Sequence, residues 1–372
     1  MLTSVNSAVA DDIDPSIFDL LVEYGANIRS LNGKYGIMQE AACNGNVAVM
    51  ERIFALAPDL LESCGPLGYN PLHLACKRDH PAAAEKLLDL GANINAVAKD
   101  GFVPILAAAW YGGAELTRLL AQRGVDLNSQ AEILPPRSPP KYWYPPLDCA
   151  ICSDEPGRAE AMEALIAAGA DINRASRCGA RPVHTAAEKG NVAALNVLSK
   201  HGALLTLKTD NGSGSTALHR AASSGHVAFV RALLDRRILS VNALNNDDKT
   251  ALMFAVMNGH KAVWRVLLEP RYGCNASLFD KTEWSAMHYA AQYDQAEAVK
   301  ALHGRGRVDV NLVGLKGFTP LHAAVEFNAK ETAKELIRLG ARQDLETTGR
   351  YTPPTLAVVL DKPAKIRKFS LR

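Results

Sequence analysis

The feature that most constrains the fold is a seven-residue phrase that occurs nine times. Five strong copies, at 70–76, 181–187, 216–222, 285–291 and 319–325, are variants of Thr-Pro-Leu-His-Xaa-Ala-Ala. Weaker copies lie at 36–42, 103–109, 145–151 and 250–256. Their third residues fall at 38, 72, 105, 147, 183, 218, 252, 287 and 321, so the spacings are 34, 33, 42, 36, 35, 34, 35 and 34 residues. A chain with this period stacks one supersecondary unit many times instead of folding around a single core.

Each unit has the pattern of two helices joined by a turn. Thr or Ser before Pro is a typical N-cap followed by a first helical residue whose missing N–H costs nothing. Gly225 supplies the positive φ that ends the first helix of its unit. The segment 227–234 then carries apolar residues at i, i+3 and i+4, as expected for a second helix. Neither helix can bury its apolar face alone, so neighbouring units must stack.

A second phrase follows the heptad at a fixed offset, as in Leu-Leu-Asp-Leu-Gly-Ala-Asn-Ile-Asn at 87–95 and its relatives at 119–128, 165–173 and 336–341. At these residues the chain resembles the ankyrin family, whose repeat is about 33 residues with a Thr-Pro-Leu-His start. The resemblance covers roughly 16–360. It implies an all-α ankyrin-repeat solenoid of helix-turn-helix units with short β-hairpin-like fingers and about ten repeats, caps included.

The repeat pattern also predicts the domain organisation. We expect an N-terminal cap at 1–34, repeats at 35–128 and 147–345, an insertion loop at 129–146, and a truncated capping repeat with a basic tail at 346–372. Residues 16–27 read as a lone second helix and 352–358 as a truncated first helix.

Composition excludes several classes of protein. The 41 Lys and Arg balance 39 Asp and Glu, which gives a formal charge of +2 and no electrostatic argument for a nucleic-acid or membrane partner. Seven irregularly spaced Cys favour a reducing compartment. No secretory signal or membrane span is expected. We therefore expect a monomer in the cytoplasm or nucleus.

The insertion 129–146 contains the Pro-rich stretch 135–146, which favours an extended loop. It carries Tyr142, Trp143 and Tyr144 in a chain that is 6% aromatic. Insertions in repeats often lie on the binding face, so these rings could form a protruding recognition loop. Alternatively, they fold back onto the solenoid. Segment 136–141 also fits a generic Pro-rich ligand pattern.

The sequence predicts no catalytic, cofactor-binding or metal-binding residue. The recurring histidines His73, His184, His219, His288 and His322 lie one per repeat, about 10 Å apart, which is too far for a shared metal site. In the family that the chain resembles, this His bonds backbone between repeats. Cys149 and Cys152 have CxxC spacing without a second pair, so we expect core thiols.

The predicted binding surface is the concave face that first helices and finger tips would form. Exposed aromatic residues and Arg dominate interface energetics, and two groups of such residues stand out. We therefore predict a protein–protein interaction module or scaffold; the alternative is an enzyme or small-molecule-binding protein with an aromatic pocket in the groove or at 129–146. The first group is Tyr69, Phe102, Trp110 and Tyr111 with Lys77 and Arg78, and the second is Trp284, Tyr293, Phe318 and Phe327.

Overall fold

A computed structural model of the chain describes residues 15–29, 35–111, 113–128, 131–133, 142–153 and 157–360, without the side chains of 131–133, 142–143 and 358–360. Nine helix pairs follow a lone helix α1 and precede a lone helix α20, which confirms the predicted all-α solenoid. The helices are α1 (Pro15–Glu23), α2 (Ile37–Cys43), α3 (Val47–Leu56), α4 (Pro71–Lys77), α5 (Pro81–Asp89), α6 (Pro104–Trp110), α7 (Ala114–Gln122), α8 (Pro146–Cys152), α9 (Arg158–Ala167), α10 (Pro182–Lys189), α11 (Val192–Lys200), α12 (Ala217–Ser224), α13 (Val227–Asp235), α14 (Ala251–Met257), α15 (Lys261–Leu267), α16 (Ala286–Gln292), α17 (Ala296–Gly304), α18 (Pro320–Glu326), α19 (Lys330–Arg338) and α20 (Pro353–Leu360).

The first helices begin and end where the sequence predicts. The Asn70 side chain accepts the backbone N–H of His73 at 3.0 Å and so caps α4, with Pro71 as the first helical residue. Gly225 follows α12 with φ of +83°, a conformation that costs glycine little.

The chain divides into two compact units, Met1–Thr185 with Asn196–Ala203, and Ala186–Leu195 with Leu204–Arg372. In the first unit α2, α4, α6 and α8 pack in order, as do the second helices α3, α5, α7 and α9. In the second unit α12, α14, α16, α18 and α20 pack in order, beside α13, α15, α17 and α19. Fully buried alanines such as Ala75 and Ala221 allow this close approach. The apolar faces are thus buried between neighbours, as stacking requires.

Between helix pairs the chain forms a tight finger that pairs with its neighbour. In one finger, the N–H of Ala98 donates to the carbonyl of Phe102 at 2.8 Å, and Lys99 donates to Leu67 of the preceding finger at 3.0 Å. The same pattern occurs in the second unit, where Asp280 bonds Trp284 at 2.9 Å. The fingers are hydrogen-bonded turns rather than regular strands.

The recurring histidine fastens each finger to the preceding repeat. The ring Nε2–H of His73 donates to the carbonyl of Phe102 at 3.0 Å, while its Nδ1 accepts the N–H of Asn70. His288 makes the same pair of bonds, with Phe318 at 3.2 Å and Ser285 at 3.2 Å. The structural role expected for these histidines is therefore confirmed.

The insertion contains a short antiparallel hairpin of β1 (Ala131–Ile133) and β2 (Tyr142–Tyr144). Ala131 pairs with Tyr144 and Ile133 with Tyr142. Segment 134–141, which contains most of the Pro-rich stretch, lies outside the described residues, as does the basic tail 362–372. The predicted domain boundaries stay a prediction.

Among the described residues, no helix combines the length and the apolar character that crossing a lipid bilayer requires.

Candidate partner-binding surface

Three rings of the predicted binding surface are buried. Phe102 is 9% exposed, Tyr144 8% and Trp284 5%. Each ring belongs to the residue just before the N-cap of a first helix. In repeats that have the recurring histidine, a ring at this position lies beside that histidine. Trp284 lies with its ring centroid 5.7 Å from that of His288. The expectation that Phe102 and Trp284 belong to a free edge is wrong, and Trp284 packs instead against the helix that follows its finger.

The same position carries half-buried rings in other repeats. Tyr69 lies 5.6 Å from His73 and Phe318 lies 5.4 Å from His322, centroid to centroid. The sequence contains a signal for this role: the five rings recur with the repeat at one register position, which indicates a structural contact. The other rings of that register are Tyr35 and Tyr351.

The exposed rings lie at the ends of the first helices instead. Tyr293 and Phe327 are the C-cap residues of α16 and α18, and they are 46% and 43% exposed. Tyr111 is the C-cap residue of α6 and is half-buried, as is the preceding Trp110. Arg78 holds this position after α4 and is exposed. The C-cap register is therefore where large side chains remain available.

In the first unit a lysine lies between two tyrosine rings. The Lys77 Nζ is 5.7 Å from the ring centroid of Tyr69 and 5.7 Å from that of Tyr111, both within cation–π range. The Tyr69 hydroxyl donates to Asp100 Oδ2 at 2.6 Å. Burial raises the pKa of Tyr69 well above its usual range, and the bond to Asp100 adds to this. The ring is thus a neutral, fixed wall beside the ammonium group.

In the second unit the aromatic group is mostly an interior cluster. The Trp284 ring packs against Tyr289 at 5.5 Å and meets Phe327 edge-on at 6.2 Å. The Tyr289 hydroxyl donates to the buried Asp280, which also forms an ion pair with Lys249 at 3.0 Å. Although burial raises the pKa of Asp280, its hydrogen bonds outweigh that effect and hold the pKa below the usual value. The cluster leaves one face of Phe327 to solvent.

Of the insertion rings, only Tyr144 has a side chain among the described residues. Tyr144 is buried, and its carbonyl accepts a weak bond from the thiol of Cys149 at 3.8 Å. This ring supports the alternative in which the insertion folds back onto the repeats. The side chains of Tyr142 and Trp143 lie outside the described residues, so their recognition role stays a prediction.

The buried histidines and thiols are poorly suited to chemistry. Burial lowers the pKa of both His219 and His288 to about 4, so each ring is neutral near pH 7. Burial also raises the pKa of the Cys149 thiol well above its usual value, which disfavours the nucleophilic thiolate. The described residues contain no group of three or more His, Cys, Asp or Glu that could hold a metal ion.

Sequence reasoning missed a second set of bridging side chains. His80, His226 and His260 precede second helices, and their Nε2–H groups donate to carbonyls of the preceding repeat at 2.8–3.0 Å. Gln295 does the same with Val256 at 2.5 Å. Their recurrence one residue before an apolar second helix was the available signal.

The burial of Asp148 is the other feature that sequence reasoning missed. It occupies the histidine position of α8 and is fully buried. One carboxylate oxygen accepts the Thr185 hydroxyl, whereas Oδ2 has no partner among the described residues. Burial raises the pKa of this carboxyl to about 7. The preceding N-cap is Pro145, which has no N–H for a histidine to accept.

Comparisons with known proteins agree with this architecture. A sequence profile of ankyrin repeats in three copies matches residues 6–98, 37–131, 147–242, 183–280, 237–314 and 272–349. The chain is 25% identical over 83% of its length to the E3 ubiquitin-protein ligase KEG of Arabidopsis thaliana. It is 27% identical over 82% of its length to the human transient receptor potential cation channel subfamily A member 1. The matches span only 18% and 27% of those two proteins.

A solved structure shows the same fold. The crystal structure of the ankyrin repeat domain of Bcl-3, described as a unique member of the IkappaB protein family, superposes with a TM-score of 0.50 and is 24% identical. It covers 57% of this chain and 92% of its own. Ankyrin repeats generally serve as protein–protein interaction modules. Since the profile matches well over half of its residues, the chain belongs to the ankyrin-repeat family.

Proposed function

We propose that this chain binds a protein or peptide partner through the ends of its first helices and the neighbouring finger tips. The observation that carries the proposal is the pair Tyr293 and Phe327, which are 46% and 43% exposed at the same register of consecutive repeats. Tyr and Phe bury large areas at low entropic cost when a partner covers them.

The support beneath these rings favours a preorganised surface. Phe327 rests edge-on against the buried Trp284. Tyr293 directly precedes Asp294, whose Oδ1 accepts the N–H of Thr332 at 2.9 Å and so ties this helix end to α19. A partner would therefore meet rings that are already held in place, which lowers the ordering cost of binding.

The alternative of an enzyme or small-molecule site needs rings that line a cavity. In the second unit Trp284 and Tyr289 instead pack against each other and against their own helices. We further propose that the chain acts as a monomer in the cytoplasm or nucleus and does not bind nucleic acid, in line with its formal charge of +2.

The test uses a double variant that combines Tyr293→Ala and Phe327→Ala. Its control is the single variant Ile337→Ala. Ile337 is a matched control because it is 45% exposed but lies on the second helix α19. Each protein is immobilised and incubated with extract from its native cells, and captured proteins are quantified by mass spectrometry. We expect the double variant to lose at least about tenfold of the main partner, since two hot-spot rings contribute 1–2 kcal/mol or more each. Unchanged capture by a double variant with native circular dichroism would refute the proposal.

A further inference from the structure

The cations of the first unit divide into paired and unpaired groups. Arg52 bonds Asp19 at 3.0 Å and Arg123 bonds Asp89 at 2.9 Å, and Lys86 pairs with Glu51. All three lie on second helices or directly after one. By contrast, Lys77 and Arg78 form no ion pair with any described residue, although they are adjacent at the end of α4.

Lys77 is nevertheless held in place. Its ammonium group lies 5.7 Å from the ring centroids of both Tyr69 and Tyr111. Tyr69 is itself anchored by its bond to Asp100. A lysine side chain normally loses considerable rotamer freedom when it binds a ligand, and this packing removes part of that cost in advance.

None of the described carboxylates near this pair forms an ion pair with it. Asp100 accepts the Tyr69 hydroxyl, and the Asp79 side chain lies against Gly113 at the start of α7. Glu40 is half-buried in α2. Burial raises the pKa of Glu40, and the nearby Arg78 opposes that rise without forming an ion pair with it. The two cations therefore lack the ion-pair partner that Arg52, Lys86 and Arg123 possess.

We propose that Lys77 and Arg78, framed by Tyr69 and Tyr111, bind an acidic segment of a protein partner through its Asp or Glu carboxylates. This inference rests on the proposed interaction function and specifies the chemistry of the partner at the first unit. The ammonium group offers three donors and the exposed guanidinium a planar fork, which suit one or two carboxylates. The tyrosine rings contact the apolar parts of the same segment.

A nucleic acid fits this site less well. Backbone binding of DNA or RNA needs a track of many cations, and its affinity scales with the number of phosphates that are neutralised. Here two cations lie beside Glu40, Asp79 and Asp100, and the whole chain carries a formal charge of only +2. A short acidic peptide needs only the one or two carboxylate contacts that Lys77 and Arg78 offer.

The experiment is selection of random dodecapeptides displayed on phage against the native chain. The counter-selection uses the double variant Lys77→Glu with Arg78→Glu. A second double variant, Arg118→Glu with Arg174→Glu, makes the same charge change at exposed positions of the first unit and serves as the control. We expect the enriched peptides to contain an excess of Asp and Glu. Their affinity should fall at least tenfold in the first variant, stay within about twofold in the control, and largely survive Lys77→Arg.

Several outcomes would overturn the inference. They are enriched peptides without an acidic excess, no enrichment over the counter-selected variant, equal loss in the control, or tighter binding of a twelve-residue oligothymidylate than of the selected peptides. The Tyr293 and Phe327 variant tests the proposed interaction function independently. If it loses partner capture while any of these results is obtained, the interaction function is supported and only the inference of an acidic partner is refuted. If that variant kept its partner, the proposed interaction function would be refuted, whatever the result of the peptide selection.

Discussion

Replacing Asp148 by Asn should stabilise the first unit at pH 8 and have little effect at pH 5. The carboxyl group is fully buried, its Oδ2 has no partner in the described part of the chain, and burial raises its pKa to about 7. An unfolded chain has an Asp pKa near 4. Between these values the folded protein keeps a proton that the unfolded chain has released, so the free energy of unfolding falls as pH rises through this window.

The size of the effect follows from the pKa difference. About three pKa units correspond to about 4 kcal/mol once both states are ionised, since each unit is worth about 1.4 kcal/mol. Asn cannot ionise and can still accept the Thr185 hydroxyl. Its amide nitrogen would lack a partner, which costs about 1–3 kcal/mol. The net gain at pH 8 is therefore about 1–3 kcal/mol, or roughly 5 °C in the melting temperature of a unit of this size.

The assay is thermal unfolding followed by circular dichroism at pH 5 and pH 8. Glu115→Gln is the control, because it makes the same carboxyl-to-amide change at an exposed position of α7. Only the Asp148 variant should gain stability, and only at pH 8. An equal shift at both pH values, or a loss at pH 8, would show that ionised Asp148 carries no cost.

Further predictions concern the second unit and the repeat joints. Trp284→Ala should lower the free energy of unfolding by about 3–5 kcal/mol in urea titrations, because the ring is buried. Phe327→Ala should lower it by about 1 kcal/mol or less, and equal losses in the two variants would contradict the burial of Trp284. Stability should decrease from pH 6.5 to pH 4, by about 2 kcal/mol at pH 5 for each of His219 and His288, because the unfolded chain takes up protons that the buried rings, with pKa near 4, refuse. His288→Gln should weaken this pH dependence of the free energy of unfolding. An unaltered pH profile of stability in this variant would contradict the lowered pKa of His288. Gly225→Ala should lower the melting temperature more than Gly202→Ala does. Both glycines have positive φ, but a Cβ at Gly225 would lie 2.7 Å from the His260 ring, whereas one at Gly202 meets nothing within 4 Å. Equal melting temperatures of the two variants would argue against the contact.

The repeat made the fold predictable from sequence, but it did not reveal which rings face solvent. Helix ends and caps follow from local chemistry, which each copy repeats, and the histidine role was implied by the resemblance to the ankyrin family. The exposure of Phe102 and Trp284 was predicted wrongly, because the burial of a ring depends on tertiary contacts, such as that of Trp284 with His288, which composition does not encode. Tyr293 and Phe327 were predicted to be exposed and are, because they follow the last helical residue of the first helix.

Asp148 illustrates a different limit. The sequence shows that Asp148 replaces the usual histidine, yet the cost of that replacement depends on the orphaned Oδ2 and on the hydroxyl of Thr185, which lies 37 residues away. Neither can be derived from spacing alone.

The joints in which a first helix bonds the carbonyl of the following finger have fingers of similar length. Where a donor is present, distances to the next copy stay between 33 and 35 residues, as after His73, His219 and His288. Gln39 shows that an amide suffices, because its Nε2 donates to the Tyr69 carbonyl at 2.6 Å. Leu106 has no donor, and the 42-residue gap follows it directly. The longest insertion thus follows a first helix that lacks this donor, and that joint is a suitable place to graft a foreign loop.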